Sequence, residues 1–307
     1  MRKGYAALFG LLANNSDRLV YEHGYHAGNY ADVVKHSVLV QCLHHMQKKK
    51  SPFVYVETHS GAGAYPLDSS ESRKLAEHEQ GINILLENSP DEETSLHPST
   101  CKLLEIMNKY SDGEGDRNNE PEPLYPGSPL LASSLCRSQD SLILCEKAPE
   151  QFRLLQNRIG SDKRATLLQD NGYKALKRFE NLRSQQRALV FVDPPYQMGS
   201  DTEQIASLVK FLQTHWRSAR IAVWHPVSSN NREKADRLYQ QVKTAIGATS
   251  SECLATELYD KSIKDVGTGM LLINPPYGID QDIRELLPKL AKTLGNEETS
   301  EIRVKRL

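Results

Sequence analysis

Apolar residues along this chain follow two rhythms: short unbroken β-favouring runs, and longer stretches with helical spacing. Behind Asn29, a good N-cap, Ala31, Val34, Val38 and Cys42 recur at helical intervals, which predicts a helix from about Tyr30 to Lys48. Pro52 disfavours helix at Ser51 and ends it. The apolar run Phe53-Val54-Tyr55-Val56 then opens into Glu57-Thr58-His59-Ser60-Gly61-Ala62-Gly63-Ala64, a strand spilling into a glycine loop. From about Tyr65 to Leu124 the chain is polar and helix-prone, with no strand signal and a loop at Ser111 to Asp116. It reads as an inserted helical subdomain.

Strand and helix then alternate. Strands are expected at Ser141 to Cys145, ending in Glu146, at Ala165 to Leu168, ending in Asp170-Asn171-Gly172, and at Ala188 to Val192, ending in Asp193. Further strands are expected at Arg220 to His225, Cys253 to Tyr259 and Met270 to Ile273. Helices are expected at Pro149 to Ile159, Tyr173 to Arg183, Asp201 to Arg217 and Arg232 to Ile246. This order predicts an α/β fold with a mostly parallel, doubly wound sheet.

Composition narrows the setting. Hydrophobic residues make up 38% of the 307 residues, enough for a core, and no apolar run reaches the roughly eighteen residues of a membrane span. Met1 to Asp17 resembles a signal sequence in its apolar centre, but Asn14-Asn15-Ser16-Asp17 is a poor cleavage site, so a flexible N-terminal extension is expected. The five scattered cysteines show no C-x-x-C spacing and read as reduced thiols of a cytoplasmic protein. The net charge of −1 hides an uneven distribution. Arg153 to Arg187 is rich in Lys and Arg, whereas Asp68 to Glu122 is acidic, so one surface can hold a phosphate backbone and another repel it. Each run also fits an ordinary solvated helix face.

In a parallel sheet all C-terminal strand ends share one rim, where ligands bind. There the Gly61-Ala62-Gly63 turn lets a ligand approach the backbone, Glu146 is placed for ribose hydroxyls, and Asp170-Asn171-Gly172 can meet an adenine amino group. The loop lacks both G-x-G-x-x-G spacing and a P-loop lysine, which argues against pyrophosphate or triphosphate. Asp193-Pro194-Pro195-Tyr196 is the sharpest signal. Two prolines make a stiff turn that presents carbonyls. The Asp193 carboxylate and Pro194 carbonyl can then accept both hydrogens of a poorly nucleophilic adenine N6, and Tyr196 can stack on the extruded base. The combination implies methyl transfer from S-adenosylmethionine, with Asp193 catalytic and touching the donor. Asn274-Pro275-Pro276-Tyr277 is a competing copy. It follows the last strand, which in such sheets runs antiparallel, so it is assigned a structural role on the other rim. The ten histidines show no H-E-x-x-H spacing, and no metal is expected. His36 and His59 are read as ligand-facing donors.

The segments Tyr21 to Asn29, Ala31 to His36, Thr58 to Gly63, Tyr125-Pro126-Gly127-Ser128-Pro129, Ser141 to Glu146, Asp193 to Tyr196 and Met270 to Tyr277 together resemble the RlmJ family, bacterial methyltransferases of adenine N6 in 23S ribosomal RNA. The resemblance implies a Rossmann-like class I methyltransferase sheet with its last strand antiparallel, and a small helical insertion. It also implies donor contacts from His36, His59, Ser128, Glu146, Asn171 and Gly172, a substrate-adenine contact from Tyr21, and Lys35 beside the donor site. Asp170 and Asn171 stay open as alternatives for the donor's adenine.

The expected organisation is an extension over residues 1–20, a methyltransferase domain over 21–64 and 125–290, the insertion over 65–124, and a tail over 291–307. The expected partner is 23S ribosomal RNA, free or partly assembled, acted on by a monomer. The alternatives are a DNA adenine-N6 methyltransferase, disfavoured because no separate target-recognition domain follows the sheet, and a non-enzymatic RNA-binding assembly factor.

Overall fold

The computed structural model describes residues 23–88, 96–111, 123–178, 186–196, 200–228, 232–247, 251–261, 266–295 and 298–307. After a 3-10 turn at His23–Tyr25, helix α1 (Tyr30–Gln47) starts at Asn29, whose side chain accepts from the Asp32 amide at 2.9 Å. Strand β1 (Phe53–Glu57) leads through the glycine loop to β2 (Ala64–Pro66). The insertion then carries α2 (Ser70–Leu75), α3 (Ile82–Asn88) and α4 (Pro98–Ser111). It returns through β3 (Leu124–Pro126), which pairs antiparallel with β2, Tyr65 opposite Tyr125. The stretch read as strandless is thus bracketed by a two-stranded ribbon, too short to leave a periodic signal.

The main alternation follows: α5 (Ser128–Leu135), β4 (Ser141–Glu146), α6 (Pro149–Ile159), β5 (Ala165–Gln169), α7 (Gly172–Arg178), β6 (Arg187–Val192), α8 (Asp201–His215) and β7 (Ala219–Val227). The chain ends in α9 (Arg232–Ile246), β8 (Cys253–Asp260), β9 (Val266–Ile273), α10 (Ile279–Leu294) and β10 (Ser300–Arg306). Eight strands form one sheet in the order β10-β8-β9-β7-β6-β1-β4-β5. From β7 to β5 all neighbours are parallel, and β9 runs antiparallel between β7 and β8, the direction expected for the strand at Met270 to Ile273.

The residues expected as a tail differ from that reading. Residues up to Leu294 complete α10, and Ser300–Arg306 adds an antiparallel strand beside β8. Its alternation is masked because it is an edge strand dressed with Glu301, Arg303, Lys305 and Arg306, the charged dressing that edge strands favour.

One face of the sheet packs on α1, α5, α6 and α10, the other on α7, α8 and α9. Helix α1 is buried on nearly every side, because it lies between the sheet and α4, α5 and α10. Asp32, Lys35 and His36 therefore enter the interior, where an ionised group persists only if it is paired. Among the described residues no helix is long and apolar enough to cross a membrane, and all five cysteines are unpaired.

Candidate active site

Helix α1 precedes β1 and runs back along it, so its N-terminal turns sit over the C-terminal rim of the parallel strands. Lys35 Nζ meets Asp193 Oδ2 at 2.8 Å and Asp32 Oδ1 at 2.7 Å. It also lies 5.3 Å from the Trp224 ring centroid. Burial alone would lower the lysine's pKa, but the Coulombic and hydrogen-bonding contributions of Asp193 and Asp32 outweigh it and hold the ammonium above its ordinary value. Lys35 is thus a fixed cation whose partner across the rim is the carboxylate of the D-P-P-Y loop. Asp193 Oδ1 has no partner among the described residues.

The D-P-P-Y turn is rigid. Pro194 is buried, Pro195 is exposed, and Tyr196 holds a left-handed φ of 52°, a conformation rare for a bulky residue. The Tyr196 hydroxyl donates to the Trp224 carbonyl at 2.7 Å, and its ring lies edge-on to Trp224 at 5.8 Å. The phenol is therefore moored inward, and only the remaining ring face can receive a base.

Beside this turn, β1 ends in Glu57, which is fully buried. The Ser128 hydroxyl donates to one of its oxygens and the Tyr55 hydroxyl to the other, at 3.1 Å for Tyr55. Burial pushes the Glu57 carboxyl up to about 8, with Asp193 adding to the rise and the Ser128 and Tyr55 hydrogen bonds opposing it. At neutral pH this acid is largely protonated. The pair Lys35–Asp193 thus stands beside a neutral acid, which spares it a further negative charge.

The glycine loop is held from the next strand. Glu146 accepts from the Gly61 amide at 2.8 Å and from the Ala148 amide at 2.7 Å. Each carboxylate oxygen keeps a second lone pair, so ribose hydroxyls can still donate to it. Gly61 has a φ of 58°, and a Cβ there would lie 2.2 Å from the Tyr65 hydroxyl, so no side chain fits. A Cβ on Gly172 would likewise lie 2.2 Å from the Thr58 carbonyl, which is why the turn after β5 can lie against the end of β1. The Ser60 hydroxyl inside the loop and the Tyr173 hydroxyl are buried without a hydrogen-bond partner. A close backbone cradle, an acid at the end of β4 and two buried hydroxyls fit a sulfonium nucleoside.

The other expected residues are placed as follows. His59 contacts Thr58 Oγ1 at 2.8 Å and the Tyr173 ring edge at 5.0 Å, and burial pushes its imidazole down to about 4, leaving it neutral. His36 is buried, stacked on Tyr125 with Nδ1 2.8 Å from the phenol oxygen, so one ring nitrogen faces the protein. Asn171 caps α7 through the Lys174 amide at 3.2 Å, whereas Asp170 binds the Asn171 amide at 2.7 Å and pairs with Arg178. Both side chains brace their own turn. Tyr21 lies outside the described residues. A groove of about 270 Å³ runs along the outer edge of β5, lined by Asp170 and Arg178 among others; neither Asp193 nor the glycine loop borders it.

Sequence reasoning missed Asp32, Glu57's protonation, Tyr173 and Trp224. Asp32 and Lys35 stand three residues apart on one helix face, a legible pair, but nothing local tied them to position 193. The N-P-P-Y copy is settled by register. Ile273 at the end of β9 lies opposite Ile221 near the start of β7 and Cys253 at the start of β8, so Asn274 emerges on the far rim.

Residues 50–306 match the family model described as ribosomal RNA large subunit methyltransferase D, RlmJ. The chain belongs to this family. It is 33% identical to the ribosomal RNA large subunit methyltransferase J of Haemophilus influenzae, over 92% of this chain and 96% of that protein. The protein of the same name from Escherichia coli is 30% identical, with coverage of 90% and 94%. A crystal structure of a Legionella pneumophila protein superposes with a TM-score of 0.77 at 26% identity, covering 91% of this chain and 98% of that one. The matches agree with the methyltransferase fold and the family expected from the sequence.

Proposed function

We propose that this chain transfers a methyl group from S-adenosylmethionine to the exocyclic N6 of an adenine in 23S ribosomal RNA. Its ribosomal RNA methyltransferase relatives point to the RNA, and one observation carries the chemistry: Asp193, in a proline-stiffened turn on the ligand rim, is held at 2.8 Å by a buried lysine with one oxygen left over.

The donor, when bound, supplies an electrophilic methyl group. Gly61 to Gly63, Glu146, His59 and Ser128 hold and orient it. Asp193 Oδ1 and the Pro194 carbonyl accept the two N6 hydrogens, which fixes the nitrogen lone pair in line with the incoming carbon. Lys35 holds Asp193 immobile at 2.8 Å, so the carboxylate polarises N6 from a fixed position and takes its proton, directly or through water, once the nitrogen is alkylated. Tyr196, anchored on Trp224, gives the extruded base a fixed surface, and the family resemblance adds Tyr21 as a contact to the same adenine. Neutral His59 donates or accepts without adding charge beside a cationic donor.

The deciding experiment measures methyl incorporation into protein-free 23S ribosomal RNA and into duplex DNA, followed by mass mapping of the product. N6-methyladenine in the ribosomal RNA alone is expected. Incorporation confined to DNA, or at another atom, would sink the reading.

A further inference from the structure

The far rim of the sheet carries a feature the chemistry above does not use. The turn between α1 and β1 displays Lys49 and Lys50, both exposed, and Arg217 is exposed where α8 turns into β7. None of these three side chains pairs with a described residue. Behind them stand three half-buried guanidiniums. Arg137 donates to the Lys49 carbonyl at 3.0 Å and the Ser51 carbonyl at 3.1 Å, and Arg187 reaches the Ser51 carbonyl at 2.7 Å. Burial, then Arg220, then Arg137 depress the pKa of Arg187, so these cations face one another across the starts of β4, β1, β6 and β7. Burial alone lowers Arg220. The side-chain Nε of Arg187 and of Arg220 are buried without a partner.

The carboxylates at this end are already engaged: Asp140 with Arg137, Asp282 with His45 and Lys48, and Glu252 and Asp280 with Arg306. Like charges crowded in this way cost stability, and capping the end of α1 explains only Arg137 and Arg187. The spare copy of the motif completes the surface. Asn274, at a φ of 54°, donates to the Arg217 and Ala219 carbonyls at 3.3 and 3.2 Å. The turn it starts presents Tyr277 at 99% exposure. A cationic strip beside a rigidly displayed aromatic is the chemistry of a surface that holds phosphates and stacks an unpaired base.

Resting on the function proposed above, we infer that this far rim, through Lys49, Lys50, Arg217 and Tyr277, is a second RNA-docking surface that grips the substrate's backbone away from the methylated adenine. The six residues of β6 span roughly 20 Å at about 3.3 Å each, so an RNA arm flanking the target reaches both rims by passing around one face of the molecule.

The test uses the full chain carrying Lys49→Glu, Lys50→Glu and Arg217→Glu together, with Tyr277→Ala as a separate variant. With long protein-free 23S fragments, KM for RNA should rise at least about tenfold for the triple variant and a few-fold for Tyr277→Ala. Turnover at saturating RNA and the calorimetric affinity for S-adenosylhomocysteine should stay unchanged. The slope of log affinity against log salt should flatten by about 2 to 3, one increment per lost phosphate contact. A short hairpin holding only the target adenine should show no difference between variant and parent. An unchanged KM and salt slope on long RNA overturns the inference, and so does an equal loss on the short hairpin. Loss of sedimentation with phosphatidylglycerol vesicles while RNA affinity persists overturns it in favour of a membrane. If the parent chain methylates no RNA, the function proposed above fails, while fluorescence anisotropy with the same fragments still decides whether the far rim docks RNA.

Discussion

The chain carries the same turn twice, Asp193-Pro194-Pro195-Tyr196 and Asn274-Pro275-Pro276-Tyr277, each after an apolar strand. In the first, the acid meets a buried lysine and the tyrosine turns inward to bond the Trp224 carbonyl. In the second, the asparagine stitches β9 to the Arg217 and Ala219 carbonyls at the start of β7, and the tyrosine stands in solvent. The positive φ falls on the last residue of one turn and the first residue of the other, at 52° and 54°. Two short turns of nearly equal sequence thus differ in task because one strand runs up the sheet and the other down it. A proline-stiffened turn is only a way of holding a side chain still; the surrounding charge gives it a chemistry.

The comparison breaks most sharply at position 193. Asp193→Ala is expected to cut turnover by about 10²–10⁴-fold, within the range of a lost acid–base group, while S-adenosylhomocysteine still binds by calorimetry. Asn274→Ala should leave turnover at saturating RNA within about twofold of the parent. If both variants lose activity alike, the assignment of rims is wrong.

Lys35→Met ranks next. It leaves the buried Asp32 and the part-buried Asp193 without their cation, and removing one partner of a buried pair costs about 3–5 kcal/mol. A lowered midpoint in denaturant is expected, with turnover falling by at least about tenfold in the protein that remains folded. Retained stability would mean that the two carboxylates are hydrated and the ion pair is incidental.

Glu57 supplies the pH test. Its folded pKa of about 8 lies above its ordinary 4.5, so its contribution to stability is complete below 4.5 and is lost as pH rises through 8. Parent stability should therefore decline over that window relative to Glu57→Gln, read by denaturant titration at several pH values. Parallel curves would show that the carboxyl is ionised in the fold. The smallest effect belongs to the moorings. Tyr196→Phe and Asn274→Ala each remove side-chain hydrogen bonds to carbonyls and should cost about 1 kcal/mol in thermal or chemical denaturation, but only Tyr196→Phe should also slow methylation, by a few-fold.

Much of this was legible along the chain. The helix from Tyr30, the helices at Pro149–Ile159 and Arg232–Ile246, and the strand ends at Glu57, Glu146, Asp170 and Asp193 follow from local periodicity and capping, which neighbouring residues decide. The family was legible because its specific blocks are contiguous. The edge strand β10 was not, since an edge strand turns one side to solvent and its charges blur the alternation.

Local sequence therefore specifies the set of elements, their order and the chemical type of each strand-end residue. The tertiary structure alone decided which rim each proline turn occupies, that Lys35 reaches an aspartate far along the chain, and that Glu57 is buried deeply enough to keep its proton. The physical reason is that strand direction and dielectric environment come from pairings between distant segments. Propensity is summed over neighbours, whereas a charge is set by whatever the fold brings within a few ångströms of it.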